Sequence, residues 1–223
     1  MNTAESFIPY KSHALDELET VRKSEEFYYH LKTRRSIREF SSRPVPPEVI
    51  ENILKAAGTA PSGANKQPWT FCVIANKELK AKIRTSAEGE EFTSYNGRMS
   101  EEWMKDLEPF GTNHIKEFIE TCPYIIAVFK KAYDLDQNGN RHSNYYVNES
   151  VGIAVGFLLA AIHNAGLVSL THSPSPMNFL QEILGRPENE RPYLLIPVGY
   201  PKEDVKVPNI NRKQIEDIAV FYD

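Results

Sequence analysis

Thr33-Arg34-Arg35-Ser36-Ile37-Arg38-Glu39-Phe40 places three arginines and a serine within five positions, after a helical segment and before a proline-rich break. Guanidinium groups are planar forks that take phosphate oxygens two at a time, and a serine hydroxyl adds another donor. A solvated basic turn has the same composition, so the run alone does not fix a site. Its neighbours carry the argument further, because they supply the other parts of a phosphate-and-ring site.

Downstream, Pro44-Val45-Pro46-Pro47-Glu48 interrupts the chain, and Pro47 and Glu48 suit the first turn of a helix. Val49, Ile50, Ile53, Leu54 and Ala57 then mark one apolar face at helical spacing. Gly58-Thr59-Ala60-Pro61-Ser62-Gly63-Ala64-Asn65 is a small-residue loop leading into Trp69 to Ala75, expected to be a buried strand. Such a loop lets backbone N–H groups approach a flat ligand, and it is equally a common helix-to-strand connection. A helix is expected from Glu78 to about Ser86. From about 88 to 121 the chain is charged, aromatic and interrupted by Gly89, Gly97, Pro109 and Gly111, as in a lid inserted into a domain. Thr112 or Asn113 would open a helix carrying Ile115, Phe118 and Ile119.

Tyr124 to Lys130 reads as a central strand, and Asp134 to Ser143 as a hairpin-like loop. Tyr145 to Asn164 reads as the longest helix, ended by Gly166. Its Gly152, Ala154, Gly156, Ala160 and Ala161 suit close packing, in the core or against a second copy. Leu167 to Thr171, a short helix from Met177 to Leu184, and a strand from Tyr193 to Tyr200 complete the alternation. The tail, about 201 to 223, holds Arg212 and a strand-like Ile218 to Tyr222 that could pair with another subunit's sheet. Upstream of the arginines, Ser24 is the expected cap of a helix bearing Phe27, Tyr28 and Leu31, with residues 1 to about 20 as an arm. The whole reads as one α+β domain over 1–223, a mixed central sheet flanked by helices, without the G-x-G-x-x-G of a dinucleotide fold.

The 223 residues suffice for one substantial core. A net charge of −4 gives no nucleic-acid footprint. Cys72 and Cys122 have neither metal-ligand spacing nor the density of a secreted disulfide scaffold. No apolar run in the sequence reaches membrane-spanning length, and the first residues lack a signal-peptide core, so the expected location is cytoplasmic.

Arg34-Arg35-Ser36-Ile37-Arg38, Thr59 to Ala64, Pro68-Trp69-Thr70-Phe71, Asn164 to Val168, Leu184-Gly185-Arg186-Pro187, Pro197 to Pro201 and Arg212-Lys213 together resemble the nitroreductase superfamily of FMN enzymes. The resemblance covers roughly residues 24 to 222. Glu91, Tyr95 and Lys116 narrow it to the iodotyrosine deiodinase branch. It implies an FMN-dependent homodimer with an exchanged C-terminal tail. Arg34, Arg35, Ser36 and Arg38 would hold the phosphate and ribityl chain, and Arg212 would reach the phosphate. Pro61, Ser62 and Gly63 would follow the ring, with part of the site coming from the second subunit. Thr171 and Ser173 would sit at the flavin, Ser173 as the hydroxyl near N5 that supports single-electron steps. The branch usually carries Thr at that position, and His114 is a second departure. Glu91, Tyr95 and Lys116 would bind an amino-acid zwitterion, and the Ala64 N–H the phenolate of a stacked halotyrosine.

The residue chemistry agrees: a carboxylate suits an ammonium, while a Lys and a Tyr hydroxyl suit a carboxylate, although each residue alone is an ordinary surface group. Glu91 and Tyr95 lie at i,i+4, so they share a face if that stretch is helical. The implied reaction is reductive dehalogenation of halotyrosines. The alternative is a general FMN nitroreductase or halophenol dehalogenase using NAD(P)H-derived electrons, with an external flavin reductase as a possible donor. Animal members of the branch carry a membrane anchor. None is visible here, which suggests a soluble, bacterial-type form.

Overall fold

Tyr124–Lys131 (β2) and Glu190–Gly199 (β6) are apolar, β-branched runs, and a strand with no polar alternation needs cover on both faces. In the computed structural model, which describes residues 7–222, they pair antiparallel at the centre of a four-stranded sheet. The order is β1-β2-β6-β5, with Trp69–Ile74 (β1) and Val168–Ser169 (β5) at the edges. All named pairs are antiparallel. The sheet's mixed character comes from one parallel bridge, Ser36 to Ser169.

Alternate side chains of β2 point into two separate cores. Ile125, Ala127 and Phe129 pack with Ile83 and Ala87 of Lys77–Thr93 (α3), Ile119 of Phe118–Thr121 (α5) and Leu180 of Asn178–Ile183 (α7). Ile126 and Val128 pack on the opposite face with Ile50, Ile53 and Ala57 of Pro47–Gly58 (α2), and with Val151, Val155 and Leu158 of Val147–Asn164 (α6). The period-2 strand thus sorts the helices into two layers.

The helix ends follow local chemistry. At the end of α6, Gly166 adopts φ +71°, its N–H bonds His163 O at 3.0 Å, and Leu167 N bonds Ile162 O at 3.1 Å. These two bonds form a Schellman cap closed by the buried pair Ile162 and Leu167. At 18 residues α6 is long and apolar enough to cross a bilayer, yet Val151, Ala154, Val155, Leu158 and Ile162 are buried in this core. Of its small residues, Ala154 lies in the core, whereas Gly156 sits on an exposed face with Ile153 and Phe157.

Several expectations change. The first helix is Glu17–Lys32 (α1), capped by Asp16, whose Oδ1 accepts the Glu19 N–H at 2.8 Å. Ser24 lies inside it and bonds back to Val21 O, so it is no cap, and residues 17–20 are helix rather than arm. Helix α3 runs to Thr93, seven residues past Ser86, then widens into a π-type turn, Ser94–Arg98. Glu101–Leu107 (α4) follows within the lid stretch, and the helix expected from Thr112 shrinks to the single turn α5. Strand β1 is largely half-buried because it is an edge. The hairpin-like loop contains Tyr133–Leu135 (β3) paired with Arg141–Ser143 (β4). Strand β6 begins at Glu190, three residues before Tyr193. Ile218 to Tyr222 form no strand, and these apolar side chains are exposed.

By internal contacts the chain divides into two compact units, one ending at Arg34 and the other beginning at Arg35. In the second unit, Gly199 lets β6 pass Pro123. A Cβ at Gly199 would sit 2.5 Å from the Pro123 Cδ, a rigid ring atom. We expect Gly199→Ala to lower the unfolding free energy by about 1–3 kcal/mol in urea titrations. A loss below about 0.5 kcal/mol would show that the Pro123 loop yields.

Candidate active site

Arg35 to Ser41 is the segment that the structure builds the site upon. Ile37 N–H bonds Ser169 O at 3.1 Å, Ser41 N–H bonds Tyr200 O at 2.9 Å, and Lys202 N–H bonds Glu39 O at 3.1 Å. Held this way, the buried Ile37 anchors the strip while Ser36 and Arg38 flank it, half-buried. Arg35 donates to Pro208 O, tying the strip to the tail. Arg38 has no carboxylate partner among the described residues, and burial pulls its guanidinium below the usual arginine range. A half-buried cation without an anion fits a phosphate or similar group.

Arg38 opens into a cavity of about 180 Å³ that also holds Glu91, Tyr95, Lys116, Thr171, His172 and Ser173. Its lid side is fixed by α3. The Glu88 carboxylate accepts Arg84 Nε at 2.7 Å and the Lys116 N–H at 2.7 Å, which fastens the returning chain to the helix. Glu91 and Tyr95 share a face because the helix continues into the π-type turn. Lys116 is buried, 3.2 Å from Glu91 Oε2, with further bonds to Thr112 Oγ1 at 3.3 Å and Asn113 O. Burial pulls the Lys116 pKa below the usual lysine range, and Glu91 opposes that shift. The Tyr95 hydroxyl donates to Thr112 O at 3.2 Å, and burial raises its pKa. Glu91, Tyr95 and Lys116 therefore lie in one cavity, with the carboxylate and the ammonium facing each other.

The opposite wall is the extended segment Leu170 to Pro174, in which burial alternates. Leu170, His172 and Pro174 are buried, whereas Thr171 and Ser173 between them are exposed. His172 is pinned to β6 by two backbone bonds with Leu195, each 2.9 Å. Its Nδ1 lies 4.0 Å from Glu91 Oε1, its ring meets Phe118 edge-on at 5.4 Å, and its Nε2 has no hydrogen-bond partner among the described residues. Burial, then Lys116 and Arg38, lower its pKa to about 3, so the imidazole is neutral at ordinary pH and does not form an ion pair with Glu91. In sequence this histidine shows no ligand pattern. The available signal was a polar ring between two hydroxyls in an otherwise apolar run. Arg98 is a second residue missed, reaching Glu90 at 2.6 Å and Ser175 O at 3.3 Å across the cavity rim.

Pro61, Ser62, Gly63 and Ala64 do not line this cavity. They follow α2 and meet the start of α6: Gly63 N–H bonds Ser150 Oγ at 3.3 Å, and a Cβ on Gly63 would lie 3.0 Å from the Tyr146 ring. A side chain at Gly63 would therefore be tight against Tyr145 and Tyr146. Ala64, Asn65, Gln67 and Tyr146 all have φ between +47° and +54°, a concentration of strained backbone of the kind held at ligand sites. Pro61 and Ala64 are exposed. Arg34 ends the first unit, just past α1, and Arg212 lies exposed in the tail. His114 stacks edge-on against Phe92 at 5.4 Å, outside the cavity lining.

The donor set fits FMN: the unpaired Arg38, the adjoining Ser36, and the hydroxyls of Thr171 and Ser173 on one open face supply what a phosphorylated flavin requires.

The buried His172 makes stability depend on pH. It takes a proton near pH 3 in the folded chain and near pH 6.5 when unfolded. Between those values the unfolded chain holds the extra proton, so stability falls as pH falls, by up to about 1.4 kcal/mol per unit. His172→Gln should flatten the unfolding free energy against pH between pH 6 and 4. Equal slopes for the two proteins would show that the folded chain protonates this ring normally.

Comparison with known proteins identifies the family. Residues 31–200 match the model of the nitroreductase family. The iodotyrosine deiodinase of Haliscomenobacter hydrossis is 60% identical over 222 residues, covering 100% of both chains. Iodotyrosine deiodinase 1 of Homo sapiens is 44% identical over 216 residues, 96% of this chain and 74% of that one. A crystal structure of oxidized iodotyrosine deiodinase bound to FMN and 3-iodo-L-tyrosine superposes with a TM-score of 0.75 at 32% identity, covering 88% of this chain and 98% of that one. The chain belongs to the nitroreductase family, on the branch formed by the iodotyrosine deiodinases.

Proposed function

We propose that this protein is an FMN-dependent oxidoreductase that removes halide reductively from halotyrosines. The observation that carries the reading is the gathering of Glu91, Tyr95 and Lys116 in one cavity that Thr171 and Ser173 also line. A carboxylate and an ammonium 3.2 Å apart match, with opposite signs, the two charges of an amino acid. When reduced FMN is bound, it supplies two electrons which, with one proton, replace the carbon–halogen bond by carbon–hydrogen and release halide.

The chain's own residues divide the remaining work. Arg35, Ser36 and Arg38, with Arg34 and Arg212, hold the phosphate end. Thr171 and Ser173 would hold the flavin through their hydroxyls, and Ser173 would be the donor that favours single-electron transfer. Glu91 receives the substrate ammonium, and Lys116 and Tyr95 receive its carboxylate. Ala64 N–H meets the phenolate oxygen, which favours halogenated rings because halogens make the phenol more acidic.

The working unit in this reading is a homodimer. Pro61 to Ala64 belong to the α2–α6 layer and the clamp to the α3–α7 layer, so a second copy is needed to bring ring platform and clamp onto one flavin. The exposed Ile153 and Phe157 of α6, and Ile218, Val220 and Phe221 of the tail, supply apolar surface for that contact. Electrons come from NADPH through a separate reductase, in a cytoplasmic setting.

A halophenol dehalogenase is the second reading, favoured by the internal Glu91–Lys116 pair, which leaves the clamp satisfied without a zwitterion. Titrating the FMN fluorescence with 3-iodotyrosine and then 2-iodophenol separates the two. Preferential quenching by iodotyrosine supports the first reading, and equal or stronger quenching by iodophenol supports the second. Glu91→Gln and Lys116→Ala should each weaken iodotyrosine binding at least about tenfold while FMN stays bound. Unchanged affinity in both would remove the clamp. Ser173→Ala should lower kcat for deiodination with little change in KM, and an unaltered kcat would reassign Ser173 to structure.

A further inference from the structure

His172 stands where the apolar core meets the charged groups of the cavity. Its neighbours on the inward face are Leu170 and Phe118, and its backbone is fixed to Leu195 by paired hydrogen bonds. A phenylalanine there would leave no polar atom unsatisfied, whereas the imidazole buries Nε2 without a partner. The other ring nitrogen, Nδ1, stands 4.0 Å from Glu91 Oε1, just beyond hydrogen-bond reach, while Glu91 Oε2 is taken by Lys116.

We propose that His172 is a positioning residue that aims the Glu91 carboxylate at the substrate ammonium and so sets the preference for a zwitterion over a bare halophenol. The inference rests on the clamp reading given above. The argument is one of donor supply. Lys116 serves Glu91 in the structure, but a bound amino acid presents its own carboxylate to Lys116. Glu91 then loses its buried cationic partner at the moment it must hold a fixed orientation. A neutral imidazole with its proton on Nδ1 supplies a replacement donor that does not compete for the substrate carboxylate, since it carries no charge. The same tautomer leaves Nε2 as a lone-pair acceptor, the atom found without a partner.

Placement makes the coupling stiff. His172 sits between Thr171 and Ser173 on a segment bonded to β6, so the lid carboxylate is referenced to the strand that carries the hydroxyls. The other charged groups around the ring, Lys116 and Arg38, both repel a proton from it and keep it a neutral donor.

The test uses the FMN-loaded protein and its His172→Phe, His172→Asn and His172→Gln variants. FMN fluorescence quenching by 3-iodotyrosine and 2-iodophenol gives two affinities for each. The Phe variant should weaken iodotyrosine binding about tenfold with iodophenol unchanged. Asn places an amide N–H where Nδ1 stood and should restore most of the affinity, whereas Gln places it where Nε2 stood and should not. In turnover with iodotyrosine the loss should appear in KM rather than kcat. Equal weakening of both ligands, equal behaviour of Asn and Gln, or an unaffected Phe variant would each overturn the proposal. If the Phe variant loses FMN, the Asn-against-Gln comparison decides alone. A wild-type protein with no preference for iodotyrosine would instead bring down the clamp reading, and this inference with it.

Discussion

The antiparallel pairing of Tyr124–Lys131 with Glu190–Gly199 buries both faces of the central strands, and the rest of the second unit follows from having to cover them. Five consecutive residues of β2, Ile125 to Phe129, are buried, so neither side of the sheet can meet water. Helices must pack on both sides. The α2–α6 layer carries the strained loop with Pro61 to Ala64, and the α3–α7 side carries the clamp. The strained loop and the Glu91–Lys116 pair therefore belong to different layers of the fold.

Within the clamp, electrostatics and burial oppose each other. An ammonium as buried as Lys116 is costly unless paired, and pairing it with Glu91 in a fixed geometry is what keeps the cavity polar and charged. Removing one partner leaves the other's charge buried, so the two residues act as a unit rather than as separate contributions. Glu88 plays a quieter part: by holding the Lys116 backbone against α3, it ties the position of the ammonium to the helix that carries Glu91.

Much of this was legible because it depended on short-range pattern. Val49, Ile50, Ile53 and Ala57 specify α2 by spacing, and Gly166 ends α6 as a glycine at the left-handed position should. The family resemblance supplied the site residues, and the cavity brings Arg38, Glu91, Tyr95, Lys116, Thr171 and Ser173 together. What was misread depended on competition or on distance. Asp16 with Glu19 three residues later was a cap signal as good as Ser24, and Ser24 satisfied itself by bonding back to Val21. The length of α3 was hidden because Glu88, Glu90 and Glu91 look like solvated charge until their partners from distant segments are known. The role of Gly63 was hidden because Tyr146, which would crowd a side chain there, lies far along the chain.

The alternation of Leu170 to Pro174 carries one further consequence. Side-chain direction in an extended segment has a period of two, so the stretch can accept a change of residue far more readily than a change of length. A single insertion or deletion before Thr171 would turn the hydroxyls into the core and the imidazole outward. It would exchange the roles of the two faces without altering the composition of the segment. Drift in this stretch is therefore confined to substitution, and the reading frame of the fold at this point is as strict as that of the gene.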